Sequence, residues 1–246
     1  MHGSLGRPAE GRESVTAHPP APLAVIVPLR NAARFVAAAL ASVVAQVPPG
    51  TDIVVVDGGS DDGGATIAAG FPGVRVLAQS GGGLAAARNQ GLAAVDAEIV
   101  GFCDADDRWS DGSFAARHAR LSDDRACDAV IGQVVCTAIA GESATPQQSS
   151  RLGRPLPGFT PGALLARRDV FARIGPFDET LAIAADSEWF IRLHDSALHL
   201  AVLPTVVLHK GVRASGLSAD VEAYRRELLR VGRAALKRRR SPRPAS

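Results

Sequence analysis

The sequence predicts an α/β fold with a mostly parallel central sheet that is flanked by helices. Three observations lead to this prediction. Short, continuous apolar runs such as LAVIV and IVVV are typical of strands that are buried on both faces. Segments with the helical spacing of apolar residues follow most of these runs. Strands that alternate with helices of about 10–15 residues form βαβ units, whose strands are parallel.

The predicted elements alternate from the first apolar run onward, and prolines mark several of their ends. Pro28 ends the first predicted strand, and Pro48 follows the first predicted helix. Strands are predicted at Leu23–Val27, Ile53–Val56, Val74–Leu77, Ile99–Cys103, Ala129–Ile139, Leu198–Leu203 and Val206–Leu208. Helices are predicted at Arg34–Val47, Leu84–Ala94, Asp111–Ser122, Arg168–Ile174, Ala185–Ser196 and Val221–Arg240. The polar segment 141–158 is predicted as a long loop.

The chain of 246 residues has room for one α/β domain with terminal extensions. Residues 1–22 are rich in Gly, Pro, Ser and Glu, and we expect them to be disordered. The domain is predicted over residues 23–215, with a first half at 23–110 and a second half at 111–215. Residues 216–246 are predicted as a basic helix and tail. Within it, residues 225–246 hold nine of the 27 Lys and Arg residues but only one of the 25 Asp and Glu residues.

Cysteine usage and hydropathy favour a cytoplasmic protein. The three cysteines include no CxxC pair and cannot all pair with one another, which is typical of a reducing compartment. No apolar stretch reaches the ~20 residues that span a bilayer, and the N-terminus lacks the apolar core of a secretory signal. The basic tail has two interpretations. It is either a solvated helix end or a peripheral contact with an anionic membrane at its inner face.

Carboxylates stand where predicted parallel strands end, which is where open α/β sheets bind their ligands. Asp57 follows IVVV, and Asp104 and Asp106 follow IVGFC. Clustered carboxylates raise one another's pKa unless a cation lies between them. Oxygen ligands suit Mg²⁺ or Mn²⁺, which take further ligands from water and substrate phosphates. We therefore expect a divalent metal at this edge, and a group of helix-capping aspartates is the alternative.

Four segments in a fixed order lead to a more specific interpretation. They read VPLRN at 27–31, VDGGSDD at 56–62, ARNQG at 87–91 and FCDADD at 102–107. Together they resemble family 2 glycosyltransferases, the inverting group with the GT-A fold, and the resemblance extends over about 23–213. It implies a GT-A-like (Rossmann-like) sheet and a hexosyltransferase-type enzyme. Such an enzyme moves a sugar from a nucleotide-diphosphate donor to an acceptor hydroxyl.

By that resemblance the first half binds the donor, for which a UDP-sugar is the first expectation. Asp57 matches the aspartate that hydrogen-bonds the base, and Arg88 matches an arginine near the base and diphosphate. Asp104 matches the acid that faces the ribose, and Asp106 matches the metal-binding acid. Gly58 departs from the family pattern, which usually has a second aspartate there. The full set implied in donor binding is Pro28, Asn31, Asp57, Arg88, Asp104, Ala105 and Asp106.

The second half is implied to hold the acceptor and the general base. Asp186, in AADSEWF at 184–190, matches the family's base, although Ala185 stands where another acid is usual. Asp178 and Glu188 are alternatives for the base, and Asp186 has a helix-capping role as its own alternative. Glu188 and Trp189 are candidate acceptor contacts, with a solvated helix face and the apolar core as their alternative locations.

Two residues near the end of the domain resemble ligands of metal or phosphate. His209 is positioned like a histidine that in some relatives helps bind metal or diphosphate, and a surface histidine is an equal alternative. Arg213 has the planar fork that suits phosphate, and a solvated loop arginine is its alternative.

The implied partners are the nucleotide-diphospho-sugar donor, Mn²⁺ or Mg²⁺, and a carbohydrate, glycolipid or small natural-product acceptor, with no nucleic acid. Two other functions stay open. A non-catalytic relative that binds nucleotide sugars is favoured by the departures at Gly58 and Ala185. A sugar-nucleotide pyrophosphorylase would need a Gly-rich loop with Arg or Lys after the first strand, where this chain has PLRN.

Overall fold

A computed structural model describes residues 21–139, 141–143, 145–213 and 220–240 of the protein. Its strands are β1 (Ala21–Leu29), β2 (Asp52–Asp57), β3 (Val74–Ala78), β4 (Ala97–Phe102), β5 (Arg108–Trp109), β6 (Ala129–Ala138), β7 (Pro155–Pro157), β8 (Leu165–Arg167) and β9 (Leu200–Val212). Its helices are α1 (Ala33–Val44), α2 (Gly64–Ala69), α3 (Gly83–Ala94), α4 (Ser113–Asp123), α5 (Pro146–Ser149), α6 (Asp169–Ile174), α7 (Ala185–Asp195) and α8 (Val221–Arg240). A 3₁₀ turn covers Pro161–Ala163.

The strands form one sheet in the order β3-β2-β1-β4-β8-β6-β9-β5, with β7 beside β6. The first four strands pair in parallel, as the βαβ pattern predicts. Beyond β4 the sheet becomes mixed, because β8 runs antiparallel to both β4 and β6, whereas β9 runs parallel to β6. The parallel part carries the loops that were predicted to bind the donor. The predicted α/β class is confirmed.

Apolar layers cover both faces of the sheet, which explains why β1 reads as an uninterrupted apolar run. Alternate residues of a strand face opposite sides. Val25 and Val27 therefore pack in the cluster that contains Leu40 of α1, whereas Ile26 packs in the cluster that contains Phe102. Aromatic rings fill the second cluster between β4, α6 and α7. One pair stacks with its ring centroids 5.0 Å apart, Phe171 on Trp189.

The structure corrects the prediction in three places. The predicted break between Leu203 and Val206 is absent, because β9 is continuous and its register against β6 shifts there. Pro204 lies within that irregularity, where a missing N–H group is tolerated. The predicted loop 141–158 contains α5 and β7. The short elements α2, β5 and β8 were not predicted, since two to six residues carry little periodic signal.

The predicted domain ends fall largely on residues outside the described ranges. Ala21 and Pro22 belong to β1, which corrects the predicted disorder at those two positions, while residues 1–20 are outside the described part. The predicted boundary at 215/216 also lies outside it. None of the helices in the described part is long and apolar enough to cross a membrane.

Helix α8 matches the predicted basic helix Val221–Arg240, and one of its sides packs on the domain. Val231 and Ala235 are buried, and Val231 joins the aromatic cluster beneath α7. Arg239 donates two hydrogen bonds to the Asp195 carboxylate at the end of α7. Part of the basic tail is therefore engaged in contacts within the domain.

Candidate active site

Two loops meet at the carboxyl ends of β1 and β2, and side chains tie them together. Asn31 adopts a positive φ of 47°, which Asn tolerates better than most residues. Its N–H donates to Ser60 Oγ at 3.0 Å, and its Oδ1 accepts from the Asp61 N–H at 3.1 Å. Ser60 Oγ in turn donates to Asp57 Oδ1 at 2.5 Å. The structure thus brings Asn31 and Asp57 together, with Pro28 buried in β1 beside them.

A buried guanidinium joins the two halves of the domain. The Arg88 side chain, on α3, is 1% exposed. Its Nη2 donates to Asp104 Oδ1 at 2.7 Å, and its Nη1 donates to Asp186 Oδ1 at 2.5 Å. Its Cζ also lies 5.7 Å from the centroid of the Phe177 ring. Burial opposes the charge of Arg88, but Asp104 and Asp186 outweigh it and hold the pKa above its ordinary value. Arg88 therefore links the predicted ribose-facing acid to the predicted general base.

Lys210, which the sequence reasoning missed, lies between Asp104 and one further carboxylate, Asp107. Its Nζ is 3.3 Å from Asp107 Oδ2 and 3.8 Å from Asp104 Oδ2. Asp107 is fully buried and also accepts the Gly211 N–H at 3.0 Å. Burial raises the pKa of Asp107 to about 7, although Lys210 acts in the opposite direction. Asp107 is the main cause that holds the pKa of Lys210 above its ordinary value.

Arg213 contacts the carboxylate that was predicted to bind metal. Its Nε donates to Asp106 Oδ2 at 3.1 Å, and its Nη2 lies 3.0 Å from the same oxygen as an ion pair. Asp106 Oδ1 accepts no hydrogen bond from the described residues, and the side chain is 22% exposed. The sequence predicts mutual repulsion among these carboxylates. Three cations of the chain itself relieve it: Arg88, Lys210 and Arg213.

His209 and Ala105 do not direct their side chains toward the carboxylate cluster. His209 pairs with Arg108 in the sheet, and among the described residues its side chain makes no hydrogen bond or ion pair. Successive residues of a strand face opposite sides, so Lys210 occupies the side that holds the carboxylates. Within the described ranges no group of three or more His, Cys, Asp or Glu residues could hold a metal ion. The Ala105 side chain is buried in the core, so this residue can offer a ligand only its backbone.

The candidate acceptor contacts Glu188 and Trp189 also face inward. Glu188 is 6% exposed and accepts from Arg192 Nε at 2.7 Å. Trp189 is fully buried, and its Nε1 donates to Gly175 O at 3.1 Å. Glu188 also lies 3.5 Å from Arg238 of α8, and the Trp189 ring packs on Phe171 of α6. Trp189 therefore occupies the apolar core that the sequence offers as its alternative location.

Asp186 lies in the first turn of α7 and keeps one oxygen available. Its side chain is 25% exposed, and within the described part of the chain only Oδ1 is engaged, by Arg88. Burial raises the pKa of Asp186, Arg88 lowers it, and the Asp104 charge raises it again; the net pKa lies above the ordinary carboxyl value. A carboxylate of raised pKa that is fixed in position and partly open to solvent can accept a proton from an incoming hydroxyl.

Comparison with known proteins places this arrangement in a family. The model of the family described as "Glycosyl transferase family 2" matches residues 24–177. The uncharacterized glycosyltransferase YibD of Escherichia coli (strain K12) is 35% identical over 89 residues, or 35% of this chain and 26% of that protein. The succinoglycan biosynthesis protein ExoU of Rhizobium meliloti (strain 1021) is 35% identical over 103 residues, or 40% of this chain and 30% of that protein. The matches thus span about a third or less of those relatives' lengths.

Solved structures show the same fold at low sequence identity. Staphylococcus aureus TarS 1-349, crystallised with UDP-GlcNAc, superposes with a TM-score of 0.69 at 20% identity, over 87% of this chain and 65% of that one. The mannosyltransferase PcManGT from Pyrobaculum calidifontis, in complex with GDP-Man and Mn²⁺, gives 0.66 at 23% identity, over 91% and 66%. The predicted GT-A fold is confirmed. Since the family model covers more than half of the sequence, the chain belongs to glycosyl transferase family 2.

Proposed function

We propose that the protein transfers a sugar, with inversion, from a nucleotide-diphosphate donor to an acceptor hydroxyl. One observation carries the proposal: Arg88 joins Asp104, at the end of β4, to Asp186, at the start of α7. The same guanidinium therefore contacts a carboxylate of the proposed donor site and the candidate base. The solved relatives with bound UDP-GlcNAc and GDP-Man support a nucleotide-sugar donor, and UDP-sugars are the first donors to test.

The proposed reaction is a single displacement. The acceptor oxygen forms a bond to the anomeric carbon while the bond from that carbon to the diphosphate oxygen breaks. Asp186 takes the hydroxyl proton, and the diphosphate leaves with the bonding electrons. Arg88 holds the Asp186 carboxylate by one oxygen, which leaves the other for the hydroxyl. The donor lies between the first two loops and the 104–107 turn, with Asp57 and Asn31 on the nucleoside side.

The residues present fit a divalent ion that is shared with the donor. Mg²⁺-like ions commonly use one or two protein carboxylates and take their other ligands from substrate phosphates and water. Asp106 Oδ1 is at a partly exposed position and is not engaged by any residue that the structure describes, while Oδ2 is engaged by Arg213. When bound, the ion would neutralise the charge that develops on the leaving diphosphate. Lys210 and Arg213 would contribute positive charge on the same side.

We expect Mn²⁺ to bind weakly to the protein alone and tightly in the presence of a nucleoside diphosphate. Within the described part of the chain Asp106 provides a single free oxygen, so most ligands of the ion must come from the nucleotide and water. Titration of Mn²⁺ with and without UDP, followed by electron paramagnetic resonance, measures the difference. EDTA should abolish sugar transfer, and Asp106→Asn should remove the effect of UDP on Mn²⁺ binding. Full activity in EDTA would contradict the metal requirement and would leave Lys210 and Arg213 to neutralise the leaving diphosphate.

A panel of nucleotide sugars, assayed with Mn²⁺ and a range of hydroxyl acceptors, tests the proposed function. Release of the nucleoside diphosphate that depends on Asp186 supports it. Tight donor binding without turnover across broad acceptors would favour a non-catalytic binding protein, as the departures at Gly58 and Ala185 allow. Formation of pyrophosphate from a nucleoside triphosphate and a sugar phosphate would favour a pyrophosphorylase.

A further inference from the structure

The single acidic residue of the basic C-terminal stretch contacts the segment that carries Asp186. Residues 225–246 contain nine basic residues and one acidic residue, Glu227. The Glu227 carboxylate contacts the backbone of the segment that precedes α7. A solvated charged face would present this carboxylate to water, so its location calls for a different explanation.

Glu227 accepts three backbone hydrogen bonds. Its Oε1 accepts from the Ala182 N–H at 3.0 Å, and its Oε2 accepts from the Ile183 and Ala184 N–H groups at 2.9 and 2.8 Å. Hydrogen bonds to a charged carboxylate are stronger than those between neutral groups. Burial alone would raise the pKa of Glu227, but the three N–H donors outweigh burial and hold the pKa below its ordinary value. Glu227 is therefore ionised and fixed at neutral pH.

One of these contacts, to the Ala184 N–H, lies at the N-cap of α7, and the other two hold the residues before it. Ala184 is the N-cap residue of α7, and it has no side-chain oxygen to offer to the first turn. The Glu227 carboxylate lies at this end of α7 instead, where a negative charge also complements the helix dipole. Asp186 is the second residue of α7, two positions after Ala184.

A second contact from α8 holds the other side of Asp186. The Tyr224 hydroxyl and Ser187 Oγ are 2.9 Å apart and hydrogen-bonded. Tyr224 and Glu227 are three residues apart, so they project from the same side of α8. Asp186 thus lies between a backbone segment held by Glu227 and a side chain held by Tyr224, while Arg88 holds its carboxylate from α3.

We propose that Glu227 and Tyr224 are positioning residues for the transfer reaction, which fix the start of α7 so that Asp186 faces the acceptor hydroxyl. This inference rests on the proposed function, because it assigns a role through Asp186. It gives α8 a task in catalysis that is separate from its basic charge. Neither residue touches the donor-binding loops, so their effect falls on the chemical step rather than on donor affinity.

Glu227→Gln tests the inference with little change in size. Gln offers one acceptor oxygen for three N–H groups and brings an NH₂ group toward them. We expect kcat to fall about 10- to 100-fold, because a displacement of Asp186 by up to about 1 Å has an effect of this size. The KM for the donor should stay unchanged. Glu222→Gln is the matched control, since Glu222 lies on α8, is 78% exposed and, among residues 220–240 and the rest of the described part, pairs only with Arg225. Wild-type kcat in folded Glu227→Gln would overturn the proposal.

Tyr224→Phe keeps the inference testable if the Glu227 variant unfolds. It removes one hydrogen bond and no packing, so a smaller fall in kcat with an unchanged donor KM is expected. Hydrogen exchange of the amides at 182–187 gives a readout that does not need activity. These amides should exchange faster in Glu227→Gln than in Glu222→Gln. If the wild type transfers no sugar but this difference appears, the proposed function fails while the structural contact stands; if exchange is unchanged, the positioning role fails.

Discussion

Replacing Asp186 with Asn is expected to lower kcat for sugar transfer by about 10³-fold, the contribution of a well-placed general base. Asn has the same shape and can still accept a hydrogen bond from Arg88, so the fold and the donor site should persist. Affinity for UDP, measured by calorimetry, should therefore stay at the wild-type value while turnover is lost. The loss of turnover would then result from the missing proton transfer and not from weaker donor binding.

The matched control is Asp178→Asn, at the other aspartate that the sequence offers as a base. Asp178 Oδ1 accepts from the Thr180 N–H at 2.9 Å and from Thr180 Oγ1 at 2.7 Å, so this carboxylate shapes its own turn. We expect its variant to keep nearly full activity. The third alternative, Glu188, is buried and held by Arg192. If Asp178→Asn lost most of its activity and Asp186→Asn lost little, Asp178 in the preceding turn would be the base instead.

Replacing Arg88 with Met is expected to reduce both stability and activity. Met fills a similar apolar volume, but it leaves the Asp186 and Asp104 carboxylates without the guanidinium that they share. Removing one partner from a buried ion pair costs about 3 kcal/mol in the free energy of unfolding. The Lys210 ammonium, 3.8 Å from Asp104, limits the cost on that side. Chemical denaturation measures the stability, and kcat should fall about 100-fold because Asp186 is no longer oriented.

The same variant should change the pH dependence of transfer. The general base acts in its ionised form, so activity falls as the pH drops through the pKa of Asp186. Burial already holds that pKa above the ordinary value, and Arg88 is the main group that lowers it. Without Arg88 the pKa rises further, and the acid side of the kcat/KM profile should move to higher pH.

Arg117→Met is the control for burial of a guanidinium. Arg117 is fully buried on α4, and it donates to Ser113 O and Leu164 O rather than to a carboxylate. Its loss should reduce stability without moving the acid side of the profile. A profile that is the same in the wild type and in both variants would mean that Asp186 does not set the pH dependence.

Sequence patterns were sufficient to predict the parallel half of the fold, because strands that are buried on both faces appear as nearly continuous apolar runs. Uninterrupted apolar runs mark β1 and β2, whereas β3 includes Arg75 and β4 includes Glu98. Each of the four strands is followed by a turn with polar residues. The positions of Asn31, Asp57, Arg88 and Asp104 follow from this order of elements, since parallel strands end at one edge of the sheet. The resemblance to a family supplied their roles.

The second half was less predictable, because its contacts join distant parts of the chain. Lys210 and His209 are neighbours, and only the face on which β9 packs decides which one meets the carboxylates. The sequence leaves both a functional and a structural location open for Glu188 and Trp189, and contacts with Arg238 of α8 and Phe171 of α6 bury them. Glu227 did give a signal, as the single acidic residue of the basic stretch 225–246. Its three N–H partners lie more than 40 residues away, and no local pattern identifies them.

The stereochemistry of the first product tests the central claim most directly. With a UDP-sugar whose sugar is α-linked to the diphosphate, and with water or a hydroxyl compound as acceptor, the new bond can be followed by proton NMR at early times. A single displacement assisted by Asp186 predicts that the β-anomer forms first and that Asp186→Asn abolishes its formation. An α-anomer as the first product would contradict direct attack by the acceptor and, with it, the role proposed for Asp186.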